Sequence, residues 1–173
     1  RATAGISLEL ETDSSELALE LQLDPEPAGT RAMLDHVSKP VAVGVGGKMS
    51  VGDTTSSSHD GFGIEVDGRL RMPVMPQLGT RTLSLCVDDP EKSPAAGVTQ
   101  LPGLGAAHRV RIWLPCLRGC ALRSVVGNGT KIEALPMRRQ LLVLGDSIAQ
   151  GFVCGDPGQS WPALLARDLD LDL

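Results

Sequence analysis

The sequence predicts a β-sandwich or jelly roll followed by the first strand–helix unit of an α/β fold. In the first 136 residues, apolar and polar side chains alternate, with glycine and proline between the runs and no convincing helical pattern. At Leu141 the alternation gives way to four consecutive apolar residues, a turn and a helical pattern. We therefore divide the chain into a sandwich at 1–136, a linker at 137–140 and the beginning of an α/β domain at 141–173.

The alternating runs define seven or eight short strands. Apolar residues two apart mark them at 6–10, 17–23, 41–45, 62–66, 70–72, 83–87, 110–114 and 132–134. The polar segment TDSSE joins the first two, and Asp67-Gly68 suits the positive φ angles of a type I′ hairpin turn. Two stretches interrupt the pattern: a polar loop at 52–61 and a connection rich in Pro, Gly and Ala at 88–107.

The last 33 residues predict a strand, a turn, a helix and a second strand. Leu141–Leu144 is uniformly apolar, which is typical of a strand covered on both faces of a parallel sheet. Ser160 is a suitable N-cap for a helix. The apolar stripe of that helix, at helical spacing, comprises Trp161, Leu164, Leu165 and Leu169. The final DLDLDL indicates an edge strand whose solvated side carries Asp168, Asp170 and Asp172.

Composition argues against two classes of partner. The formal net charge is −5 and the basic residues are scattered, so we expect no nucleic-acid binding. No apolar run approaches the roughly 18 residues of a membrane span, and the opening RATAGISLELE lacks the apolar core of a secretory signal. Because the chain starts at Arg1, a leader already removed is compatible with the sequence, and localisation and oligomeric state stay open.

Ser147 is the candidate nucleophile. A serine directly after the carboxyl end of a central parallel strand projects into the crevice where open α/β sheets bind ligands. Gly145 allows a tight backbone turn before it, and N–H groups at such a turn can face a developing oxyanion. The simpler alternative is a turn serine that caps a helix. A serine hydroxyl also needs a base to take its proton.

The motif Gly145-Asp146-Ser147-Ile148, after its apolar strand and before Ala149-Gln150-Gly151, resembles the first motif of the SGNH (GDSL-type) hydrolases. Leucine is commoner there than isoleucine. The segment SWPALL at 160–165 is similar to the helix that follows in many bacterial members, and the whole chain is similar to carbohydrate esterases that join a jelly roll to the hydrolase domain.

The resemblance implies a flavodoxin-like, three-layer α/β domain and a serine esterase. Ser147 would attack the ester carbonyl and lend its backbone N–H to the oxyanion, with Gly145 and Asp146 as motif support. The substrate implied is an acyl ester, such as an acetyl ester, of a carbohydrate or other small molecule, and neither a metal nor another cofactor is needed. The alternative is a non-enzymatic β-sandwich module for binding or assembly.

The rest of the catalytic machinery has no counterpart in the chain. The family's Asp-x-x-His and its later glycine and asparagine oxyanion donors are missing, because neither His nor Asn occurs after Ser147. Nothing in the spacing of His36, His59 or His108 identifies a substitute; we expect the first two in solvated loops and the third at a strand end. We therefore expect the rest of the catalytic domain to lie beyond residue 173.

The remaining polar and aromatic residues have structural explanations. We expect Asp53, His59 and Asp60 to be solvated loop residues rather than metal ligands. Cys116 and Cys120 are compatible with a local disulfide or with two packed thiols, of which we favour the thiols. Cys154 is expected to be a bystander thiol. Both tryptophans, Trp113 and Trp161, are expected to pack in the core, which leaves little aromatic surface for a sugar platform.

Overall fold

The computed structural model describes residues 3–25, 29, 60–76, 79–88, 106–152 and 154–173. In this part of the chain the strands are β1 (Ser7–Thr12), β2 (Glu16–Leu23), β3 (Gly63–Val66), β4 (Arg69–Leu70), β5 (Thr82–Cys86), β6 (His108–Trp113), β7 (Cys120–Gly127) and β8 (Ile132–Ala134). They form a five-stranded sheet of order β4-β3-β6-β1-β8 and a three-stranded sheet of order β5-β2-β7. Every strand pairing is antiparallel.

The two sheets pack face to face around one apolar core. On β2 the side chains of Leu17, Leu19 and Leu21 are buried and alternate with exposed or half-buried neighbours. Val110 and Ile112 of β6 face them from the larger sheet, within the same core cluster. Each such side chain contributes about 1.5–3 kcal/mol when fully buried. The prediction of a domain built from antiparallel sheets is confirmed.

The turns also follow their residue types. Asp67 and Gly68 have φ values of 50° and 76°, which are the two positive angles of a type I′ turn, and they join β3 to β4. The TDSSE segment joins β1 to β2 as predicted, although these strands belong to different sheets. The predicted strand at 41–45, together with His36, Asp53 and His59, lies outside the described residues.

Strand β7 has no counterpart among the predicted strands, and a β-bulge explains why. Opposite Glu20 lies Ser124, whereas opposite Leu21 lies Leu122, so Arg123 is the extra residue. Of the β7 side chains that pack against the core, which are Cys120, Leu122 and Val125, the last two are consequently three residues apart. This spacing breaks the period of two on which the sequence interpretation depends.

The predicted strand at Leu141–Leu144 is wrong in its burial. The structure has a single parallel bridge here, between Gln140 and Asp172, and Leu141 donates its N–H to the Asp172 carbonyl at 2.6 Å. Leu142 and Leu144 are 81% and 86% exposed. The physical reason is that no further strand of the described chain covers their side of the backbone.

Two short helices and a 3₁₀ helix complete the described chain: α1 (Ser147–Gln150), the 3₁₀ helix (Pro157–Gln159) and α2 (Trp161–Asp168). The prediction of a helix after Ser160 is confirmed, but its buried face is different. Ala163 and Ala166, at i and i+3, are buried together with Pro162, whereas the predicted core residue Trp161 is 48% exposed. None of the described helices is long and apolar enough to cross a membrane.

The DLDLDL end is not a continuous edge strand. Asp168 is the last residue of α2, and Asp170 has a left-handed φ of 52° that turns the chain back. Only Asp172 takes part in strand-like pairing. Its side chain is not solvated as predicted, because it forms an ion pair with Arg138 of the predicted linker.

Candidate active site

Ser147 is exposed at the first position of α1. Asp146 is the N-cap, with extended backbone, and its Oδ1 accepts the N–H of Ile148 at 3.0 Å. The Asp146 carbonyl accepts the N–H of Gln150 at 3.1 Å. Among the described residues, neither the hydroxyl nor the backbone N–H of Ser147 has a hydrogen-bond partner. The part of the chain that the structure describes therefore leaves both groups without a contact.

Gly145 is required by a close approach between the turn and the helix. A Cβ atom at this position would lie 2.6 Å from the Cβ of Ala149, one turn further along the chain. Any larger residue would push the turn away from α1. Gly145 thus has a steric role in the turn, and Asp146 caps α1 through its hydrogen bond. Their role as support for a catalytic motif stays a prediction.

A turn of the sandwich holds the end of α1. The Nε2 atom of Gln150 donates to the carbonyl oxygen of Cys116 at 2.8 Å. Gly151, with a φ of 89°, closes the helix and donates its N–H to the Ile148 carbonyl. A Cβ at Gly151 would lie 3.2 Å from the Sγ of Cys116, so the segment passes close to this turn.

Asp60 fixes that turn, in contrast to the prediction that it is a solvated loop residue. Its side chain is 2% exposed, and its oxygens accept the N–H groups of Cys116, Leu117 and Arg118 at 2.6, 3.0 and 3.1 Å. Burial raises the pKa of the Asp60 carboxyl, while these N–H groups and the Arg118 guanidinium act in the opposite direction. The prediction was wrong because the three donors lie more than fifty residues away in sequence.

The outer face of the larger sheet contacts the segment between the helices. Asp156 is buried and caps the 3₁₀ helix by accepting the Gly158 N–H at 2.9 Å. A Cβ at Gly63 of β3 would lie 2.4 Å from its Oδ1, and a Cβ at Gly158 would lie 2.9 Å from Trp113. Trp113 is buried as predicted, at 2% exposed, although it packs on this outer face rather than between the sheets.

A cavity of about 590 Å³ adjoins the motif. It is lined on one side by Gly145, Asp146 and Gln150, and on the other by the segment Ala4–Ile6 and by Leu173. Ser147 is not among its lining residues, so the cavity does not contain the hydroxyl.

The structure provides no base for Ser147 from His108. This residue starts β6 as predicted, and its Nδ1 lies 2.7 Å from Asp67 Oδ2 at the hairpin turn. His108 and Trp113 are the two ends of β6 and lie about 16 Å apart. The chain continues from Trp113 to Cys116, which contacts α1, so His108 lies at the opposite end of the strand. Within the described ranges, no three His, Cys, Asp or Glu side chains form a group that could hold a metal ion.

All four cysteines are free thiols. Cys116 is buried and Cys154 is exposed, with its Sγ donating to the Asp156 carbonyl at 3.1 Å. Burial raises the pKa of Cys116 to about 12 and that of Cys120 to about 11. Neither of these two thiols is therefore activated as a nucleophile.

Fold and site together define a sheet-rich protein with an exposed serine on a Gly-Asp-Ser turn. No family model matches the chain, and no curated protein matches it. Among solved structures it is similar to the salicylyl-acyltransferase SsfX3 from a tetracycline biosynthetic pathway, with 24% identity and a TM-score of 0.59. It is also similar to a family two carbohydrate esterase from Clostridium thermocellum, solved as an active-site mutant and in complex with cellohexaose, at 15% identity and TM-scores of 0.56 and 0.52.

At these identities the likeness shows a shared fold. The matches cover 99% of this chain and 39%, 43% and 44% of the three neighbouring chains. The chain thus spans less than half the length of the solved structures that it matches.

Proposed function

We propose that the chain is part of a serine esterase of the SGNH (GDSL) type, with Ser147 as the nucleophile. One observation carries this proposal: Ser147 is exposed at the start of a helix, and its hydroxyl and N–H have no hydrogen-bond partner among the described residues, while Asp146 and Gln150 on either side each form a hydrogen bond. A serine that merely capped the helix would use its side chain on the helix backbone, a role that Asp146 fills instead.

The proposed reaction is acyl transfer through serine. Ser147 Oγ attacks the ester carbonyl carbon while a base takes the hydroxyl proton. The carbonyl oxygen becomes an oxyanion that accepts the Ser147 N–H, and the C–O bond to the alcohol then breaks as the alcohol takes the proton. Water then attacks the acyl carbon of the acyl-serine while the base takes its proton. The bond from the acyl carbon to Ser147 Oγ breaks, the carboxylic acid leaves, and Oγ regains the proton from the base. None of these steps needs a metal or a nucleotide.

We further propose that the base and the other oxyanion donors come from polypeptide outside these 173 residues. The described chain brings no histidine to Ser147. Leu142 and Leu144 expose their side chains beside the bridge between Gln140 and Asp172, as the first strand of a larger parallel sheet would before its neighbours are added. The length of the solved neighbours supports the same proposal. In this proposal, residues 1–136 are a jelly roll, 137–140 a linker and 141–173 the beginning of the hydrolase domain.

For the substrate we propose an acyl ester, in particular an acetyl ester, of a carbohydrate or small molecule. The support is the shared fold with a carbohydrate esterase that was solved with cellohexaose. The acyltransferase neighbour uses the same fold. Acyl-serine chemistry allows either water or an alcohol to accept the acyl group, so the esterase proposal specifies water as the acceptor.

A serine-reactive phosphonate tests the proposal on the polypeptide that includes the sequence following Leu173. We expect covalent labelling of the peptide that contains Ser147, in the wild type and in the control Ser124→Ala, whose serine lies on β7. The Ser147→Ala variant should not be labelled. Labelling that persists in Ser147→Ala would exclude this serine, and a complete lack of labelling would favour the non-enzymatic module.

A further inference from the structure

A buried carboxylate of the sandwich and the nucleophile helix share one turn of the chain. This turn, residues 115–118, follows β6. Three consecutive N–H groups in it, those of Cys116, Leu117 and Arg118, all point at the Asp60 carboxylate. Because the carboxylate is buried and accepts from three donors, the turn has little freedom to change its orientation.

The carbonyl of the same turn is the acceptor for Gln150. The backbone N–H of Cys116 binds Asp60, and its carbonyl oxygen receives Gln150 Nε2 at 2.8 Å. Gln150 is the last residue of α1 and lies three residues after Ser147, so both lie on neighbouring positions of one helix face. A helix of four residues is unstable alone, and its orientation depends on contacts such as this one.

Asp60 also binds the far end of the segment that follows α1. Its backbone forms a parallel bridge with Gly155, and the neighbouring Gly61 donates its N–H to the Gly155 carbonyl at 3.2 Å. Thus one residue of the sandwich acts at two points: its side chain orders the turn that binds Gln150, and its main chain binds Gly155. The chain between Gln150 and Gly155 is held at both ends.

We infer that Asp60 and Gln150 are positioning residues for Ser147: the sandwich sets the orientation of the nucleophile through the path from Asp60 to the Cys116 carbonyl, Gln150 and α1. This inference rests on the proposed function. It gives the sandwich a role in the reaction without contact to the substrate. A displacement of the hydroxyl by about 1 Å is enough to lower a rate about a hundredfold.

The test compares Gln150→Leu with the matched control Gln22→Leu in the polypeptide that includes the sequence after Leu173. Gln22 lies on β2 of the smaller sheet, where its Oε1 accepts from Arg123 Nη2 at 2.7 Å. We expect kcat for an acetyl ester to fall about ten- to a hundredfold in Gln150→Leu, with KM changed less than about threefold. Gln150→Lys, which restores a donor, should recover part of kcat. The control should keep the wild-type kcat.

Amide hydrogen exchange gives a second readout that does not depend on activity. Gly151 and Phe152 donate their N–H groups to the carbonyls of Ile148 and Ser147 at 3.1 and 2.9 Å. Their exchange should accelerate about fivefold or more in Gln150→Leu, as expected for the loss of one hydrogen bond that holds α1.

The outcomes separate this inference from the proposed function. Wild-type kcat or unchanged exchange in Gln150→Leu would overturn the inference, as would an equal loss of kcat in Gln22→Leu. If the wild-type polypeptide neither hydrolyses esters nor reacts with the phosphonate, the proposed function fails. In that case, amide hydrogen exchange still shows whether the Gln150 hydrogen bond stabilises α1.

Discussion

Arg138 and Asp172 bind each other through two hydrogen bonds: the Arg138 backbone N–H donates to Asp172 Oδ2 at 2.6 Å, and Arg138 Nη2 donates to Oδ1 at 2.7 Å. Arg138 Nη2 also contacts Glu9 of β1. The guanidinium therefore ties the last residues of the chain to the five-stranded sheet, next to the bridge between Gln140 and Asp172. The segment predicted to be a linker, 137–140, is therefore held against the five-stranded sheet at Arg138.

Replacing this arginine should destabilise the fold. We expect Arg138→Met to lower the free energy of unfolding by about 2 kcal/mol, because two largely buried carboxylates lose a charged donor. The neighbouring Arg139, which is exposed, provides the control Arg139→Met, with an expected change below about 0.5 kcal/mol. Urea denaturation measures both. Equal stability of the two variants would contradict a role for the ion pair.

Gly63 should not tolerate a side chain. A Cβ there would lie 2.4 Å from Asp156 Oδ1 and 2.8 Å from the backbone nitrogen of Gly158. We expect Gly63→Ala to lower the free energy of unfolding by about 1–3 kcal/mol, since the 3₁₀ helix must move off β3. Ser84→Ala, at an exposed position of β5, serves as the strand control in the same denaturation experiment. An unchanged denaturation midpoint for Gly63→Ala would contradict close packing of the 3₁₀ helix against Gly63.

The cysteines should react with iodoacetamide in a set order. At pH 8 about one in ten thousand Cys116 side chains is a thiolate, given a pKa of about 12, compared with about one in ten at the ordinary value of 9.0. We expect the exposed Cys86 to be alkylated first and Cys116 last, as followed by mass spectrometry of peptides. In denaturing urea, Cys86 and Cys116 should be alkylated at similar rates. Rapid alkylation of Cys116 in the native state would contradict its burial.

Asp13 should make stability depend on pH at the acidic end. The Thr130 side chain, and then the Lys131 N–H, hold the pKa of Asp13 below its ordinary value of 3.8. Its contribution to stability is therefore complete above pH 3.8 and is lost as the pH falls through the lowered pKa. The melting temperature of Asp13→Asn should lie below that of the wild type at pH 6, and the gap should close at the most acidic pH values. A constant gap would contradict this linkage.

The parts of the fold that depend on local spacing could be predicted from the sequence. The alternation in β2 follows from one buried face, and the residue types of Asp67-Gly68 favour the turn that they form. Strand β7 could not be predicted in this way, because the bulge at Arg123 changes the spacing of its buried residues. Burial at Leu142 and Leu144 was predicted wrongly, since hydrophobic composition does not reveal which neighbours are present.

Within the candidate site, the sequence identified the motif but not the residues that hold it. Gly145, Asp146 and Ser147 are adjacent, so their spacing was informative. Asp60 lies in a polar stretch, and its role depends on a turn that folding brings to it. A signal for the Gln150 contact is likewise lacking in the local sequence, because its acceptor is a main-chain carbonyl 34 residues away.

The most direct test of Ser147 as the nucleophile is to trap its acyl intermediate. The full-length protein is mixed with an activated aryl acetate, quenched in acid within the first turnovers and digested for mass spectrometry. We predict one acetyl group on the peptide that contains Ser147, and none in Ser147→Ala. An acetyl group on another residue, or full hydrolytic activity in Ser147→Ala, would contradict the proposed mechanism.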